Sequence, residues 1–80
     1  MNTEALIQKL NELYGDEQGM KVYVTIMPGI LADFKKMLSS AAPGEEISEE
    51  YRLEDGKGTV VVTGMRNASG EIRMDAALNA

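Results

Sequence analysis

The side chains that carry most enzymatic chemistry at neutral pH are missing from this chain, which has no histidine and no cysteine. Their absence removes the commonest general base, the commonest transition-metal ligand, the thiol nucleophile and the usual structural zinc site. Carboxylates, lysines, serines, threonines and tyrosines remain. The densest group is Glu45, Glu46, Glu49, Glu50, Glu54 and Asp55, six acids with Arg52 alone against them. Paired carboxylates act as acid and base on glycosides when apolar surroundings raise the pKa of one of them. This run is hydrophilic, so it reads as solvated surface. Calcium or magnesium could use its oxygens, but the alternating Asp/Asn ligands and central glycine of a helix–loop–helix calcium site are lacking.

Two further motifs dissolve on inspection. Gly56-Lys57-Gly58-Thr59 has the composition of a phosphate-binding loop without its order. Gly58 follows the lysine, Tyr51 stands where the first glycine belongs, and a strand rather than a helix follows. Asn67-Ala68-Ser69 fits a glycosylation sequon and reads more simply as a turn. No catalytic, cofactor-binding or metal-ligating residue is assigned, and the chain reads as non-enzymatic.

Charge narrows the partners. The net charge is −5, with eight basic residues scattered along 80 positions. Direct nucleic-acid binding rests on Lys and Arg neutralising phosphates, and anionic membranes also attract basic segments, so neither is expected. No apolar run approaches the ~20 residues that span a bilayer. Met1-Asn2-Thr3-Glu4 lacks the basic start of a signal peptide, and a cysteine-free chain suits a reducing compartment, so the reading is cytoplasmic.

These residues must be positioned by a small fold. Residues 1–80 read as one domain, near the size at which a core alone suffices. Leu6, Ile7, Leu10, Leu13 and Tyr14 share one helical face over Thr3 to Tyr14. Asn2 or Thr3 is placed to cap that helix, and Gly15 to stop it. Met20 to Met27 is rich in β-branched residues and reads as a strand. Pro28 then starts a second helix carrying Ile30, Phe34, Met37, Leu38 and Ala41 on one face.

The last third reads as a three-stranded meander. A two-residue turn at Gly56-Lys57 sets Leu53 opposite Val60 and Tyr51 opposite Val62. A three-residue loop, Ala68-Ser69-Gly70, pairs Asn67 with Glu71 and Val62 with Ala76. That register puts Tyr51, Leu53, Val60, Val62, Ile72, Met74, Ala76 and Leu78 on one face. It leaves Glu50, Arg52, Glu54, Glu71, Arg73 and Asp75 on the other. The acidic stretch from Gly44 to Asp55 is also compatible with a short helix. The expected fold is α+β in the order α-β-α-β-β-β: a mixed four-stranded sheet ending in an antiparallel meander, with helices packed on one face. Tyr23, Thr25 and Met27 would then join Thr59, Val61, Thr63 and Met65 on a mildly apolar outer surface that could receive the first helix.

The expected function is a small acidic protein-binding module that occupies a partner's surface. An inhibitor of a basic or nucleic-acid-binding protein fits, including the phage anti-defence type, by analogy of size and charge only. The expected partner-binding residues are Glu45, Glu46, Glu49, Glu50, Glu54, Asp55, Tyr23 and Met27. The alternative is a structural protein acting through homo-oligomerisation. Lys21 to Met27, as an edge strand guarded only by Lys21 and Pro28, would pair with a second copy in a homodimer through Tyr23 or Met27.

Overall fold

A computed structural model describes residues 3–80. It contains α1 (Thr3–Tyr14), α2 (Gln18–Ser40), β1 (Ile47–Arg52), β2 (Thr59–Arg66) and β3 (Ile72–Asn79). The three strands form an antiparallel sheet in the order β1-β2-β3, and both helices lie on one of its faces. The order is therefore α-α-β-β-β, and the expected four-stranded mixed sheet is corrected to three antiparallel strands.

The missing strand is the first half of α2. Residues 20–27 carry apolar groups at both even and odd positions, so a period of two selects no face. A helical period does: Val22, Ile26, Ile30, Phe34 and Leu38 recur every four residues, and all belong to the core cluster or pack against it. Pro28 sits inside the helix rather than at its start. It is exposed, and Val24, whose carbonyl loses the donor that Pro28 cannot supply, is 59% exposed. Water can satisfy that carbonyl, which lowers the cost of an interior proline.

The start of α2 is held by α1. Glu17, at φ 70°, precedes the first turn and provides no side-chain cap. Asn11 of α1 takes that role, its Oδ1 accepting from the Gly19 amide at 2.7 Å. The helices approach so closely here that a Cβ on Gly19 would lie 2.6 Å from the Ile7 carbonyl oxygen. Gly15, at φ +104°, ends α1 where the sequence places its stop. The Asn2 cap lies outside the described residues.

In the sheet, β2–β3 has the expected register: Val62 lies opposite Ala76 and Gly64 opposite Met74. The amide of Asn67 donates to the Glu71 carbonyl at 2.9 Å, and Gly70 takes φ +91° to close the three-residue loop. The first hairpin differs by two residues, pairing Tyr51 with Val60 and Glu49 with Val62. Its loop is Glu54 to Lys57, closed by the Leu53 amide on the Gly58 carbonyl at 2.9 Å. Asp55 Oδ1 accepts the Lys57 amide at 3.0 Å, which stabilises the wider loop. A shift of two keeps every side chain on its face. The stretch that could have been a short helix is therefore strand β1.

The core is one cluster built on Leu6, Leu10, Met27, Phe34, Leu38, Leu53, Val60, Val62 and Leu78. Phe34 lies over Gly64 of the central strand, where a Cβ would come within 2.8 Å of the ring. Arg66 closes the far end of α2 by donating from Nη2 to the Ala41 carbonyl and from Nε to that of Leu38. The molecule is elongated, 41 × 21 × 18 Å, and contains a 23-residue helix.

Candidate functional site

The acidic residues do gather, along β1 and the loops at its two ends. Glu45 and Glu46 precede the strand, Glu50 lies on the open face, and Glu54 and Asp55 follow; all five are exposed. Glu49 points to the opposite face, between Ile47 and Tyr51, and is half-buried. Among the described residues no three acidic side chains converge to hold a metal ion.

Tyr23 and Met27 do not join them. Met27 is 1% exposed and belongs to the core, while Tyr23 packs against that core from α2. The homodimer contact expected from Lys21 to Met27 is corrected, because a helix offers no ladder edge. The outer surface expected around Tyr23, Thr25 and Met27 is corrected for the same reason. Nor does α1 cover the open face of the sheet: its Leu6 and Leu10 are buried on the core side.

Two tyrosines tie the acidic edge to the helices. The Tyr51 hydroxyl donates to Asp33 Oδ2 of α2 at 2.7 Å. Burial, then the bond to Asp33 and its charge, push the Tyr51 phenol well above its ordinary value. Just beyond the same end of β1 the Tyr14 hydroxyl bonds Asp55, and Lys57 Nζ lies 5.1 Å from the centre of the Tyr14 ring. Burial and then Asp55 raise the Tyr14 phenol. The amide of Lys57 holds the Asp55 carboxyl below its usual range, with help from Tyr14 and against a smaller desolvation effect.

Between these ties, α2 and β1 stand apart and leave an open groove of about 880 Å³. Val22, Ile26 and Ile30 form its helical wall, and Tyr51 and Leu53 its strand wall. Glu50, Glu54 and Asp55 border it, together with Lys21 and Arg52. Sequence reasoning missed the helical wall. The four-residue spacing of Val22, Ile26, Ile30 and Phe34 signals it once the helix is continued through Pro28.

β1 is also a free sheet edge. The Leu53–Gly58 pair is hydrogen-bonded, and such pairs alternate along an antiparallel ladder. Tyr51 and Glu49 therefore direct their backbone groups to β2, and Ser48, Glu50 and Arg52 direct theirs outward. The site can thus offer three things to a visitor: an apolar wall, a row of backbone donors and acceptors, and excess negative charge. No family model, curated protein or solved structure matches the chain. Among the described residues no helix is long and apolar enough to cross a membrane.

Proposed function

We propose that the chain is a non-enzymatic protein-binding module that acts by occupying a basic surface of a partner protein. The observation that supports this reading is the placement of Glu45, Glu46, Glu50, Glu54 and Asp55, all exposed along one edge. Strand β1 is about 20 Å long at the usual rise, so these carboxylates span a footprint of protein-interface dimensions. Opposed charge over such a span speeds encounter and selects among partners. A protein that uses the same basic surface to hold nucleic acid would be inhibited by occupancy of it.

The test compares the native chain with a variant in which Glu45, Glu46, Glu49 and Glu50 are all glutamine. Each is immobilised and exposed to extract of the source cell at about 0.05 and about 0.5 M salt, Debye lengths on the order of 14 and 4 Å. The native chain is expected to retain a discrete basic protein at low salt and to release it at high salt. The variant is expected to fold normally and retain little of it. Equal retention by both chains, unaffected by salt, would remove charge from the function.

A further inference from the structure

We infer that the free edge of β1 is a strand-docking site whose occupant is an extended, net-basic segment of the partner protein, added to the sheet as a fourth strand beneath α2. The inference rests on the function proposed above and specifies how the acidic edge is used.

Three observations converge on it. First, Ser48, Glu50 and Arg52 aim their amide and carbonyl groups away from β2, so the edge is a template for another strand. Second, α2 overhangs this edge. The wall from Lys21 to Ile30 lines the groove over about 14 Å, the length of about five residues of strand. An added strand would turn alternate side chains toward Val22, Ile26 and Ile30, and those side chains should be apolar. Third, its remaining side chains would emerge on the open face beside Glu50 and Arg52, where a Lys or Arg placed opposite Glu50 would meet a carboxylate, with Glu54 also bordering the groove.

Charge chooses between a foreign strand and a second copy. The stretch from Glu45 to Asp55 carries six acids against Arg52. Two such edges meeting would repel each other. Charge on an edge strand guards it against its own kind, and the same charge admits a partner of opposite sign.

The test uses the blocked synthetic peptide acetyl-KVKIKVK-amide with the nitrogen-15-labelled full chain. Amide exchange at Glu50 and Arg52 is expected to slow by about tenfold or more at saturation, as for newly formed ladder bonds. A peptide N-methylated on alternate residues, on the side facing β1, is expected to bind about tenfold more weakly. The chain variant Glu50→Pro removes an outward donor while leaving the β1–β2 ladder intact, so it should keep the fold and lose the peptide. Arg52→Pro provides the same test one position on, should Glu50→Pro fail to fold.

Salt-sensitive binding with no protection at Glu50 and Arg52, unchanged by either proline, would overturn strand addition and leave the acidic-surface function standing. No binding of the peptide at about 1 mM, a limit for weak association, would overturn strand addition, while the acidic-surface function is decided separately by the salt-dependent retention of a basic protein. Protection of the same amides on concentrating the chain alone would show that the occupant is a second copy, which also overturns the inference.

Discussion

The two halves of α2 are held in different ways. From Leu31 to Ser40 the helix belongs to the sheet: Phe34 sits on Gly64, Asp33 accepts from Tyr51, and Arg66 reaches the carbonyls of Leu38 and Ala41. From Gln18 to Ile30 it belongs to α1, through Asn11 and Gly19, and sends only Met27 deep into the common core. Met20 and Val24 are exposed there, and Val22, Ile26 and Ile30 wall the groove. One half of a single helix builds the core while the other half supplies a surface. The boundary falls near Pro28 and Gly29, both exposed.

The largest expected effect attacks the sheet-bound half. In Gly64→Val a Cβ would lie 2.6 Å from the Arg73 carbonyl oxygen and 2.8 Å from the Phe34 ring. Overpacking against backbone should cost about 3 kcal/mol in urea denaturation. A cost below about 1 kcal/mol would mean that Phe34 does not anchor this half.

Next comes the helix-bound half. Intrinsic propensity says that Gly19→Ala stabilises a helix by about 1 kcal/mol. The close approach of Gly19 to Asn11 and Ile7 says the opposite, and about 2 kcal/mol of destabilisation is expected. The sign of the measured change decides between them. At the boundary, Pro28→Ala restores a donor to the Val24 carbonyl and should raise stability by about 1 kcal/mol, after the proline's effect on the unfolded chain is lost. Destabilisation would show that residues 20–27 do not run continuously into the rest of α2.

The smallest effect concerns pH. Tyr51 is raised from an ordinary value of 10.0, so the folded state holds its proton more tightly than the unfolded chain. That stability is complete below pH 10 and is lost as pH rises further. Tyr14 adds in the same direction. Asp55 acts at the other extreme, its contribution being lost as pH falls below about 3.8. Thermal unfolding from pH 8 to 11.5 should show the alkaline decline, and Tyr51→Phe should flatten it. A profile identical in that variant would show that the Asp33 tether does not stabilise the sheet-bound half.

Legibility in the sequence followed the uniqueness of each pattern. Helix α1 has apolar residues on one face only and a glycine at its end, so its limits can be read directly. The β2–β3 register is readable because a slip of one residue would move Val60 and Val62 to the wrong face. The first hairpin has no such guard against a slip of two, and the Asp55–Lys57 bond that widens its loop leaves no periodic trace. Residues 20–27 failed for a third reason. Their β-branched side chains favour a strand locally, and the contact that overrides this preference, Asn11 with Gly19, lies in another element. The same misreading placed Met27 at a contact surface and hid the groove wall, whereas the exposed acids needed no tertiary information.

The elongated shape also governs how the chain travels in solution. An 80-residue domain of ordinary proportions has a radius of gyration of about 12 Å, and here it is 13.2 Å. A rod-like body drags more solvent than a sphere of equal mass. Gel filtration calibrated with round standards will therefore overstate the 8.7 kDa of this chain. An early peak by itself would therefore not separate shape from pairing, and only a mass from light scattering or sedimentation equilibrium counts the subunits.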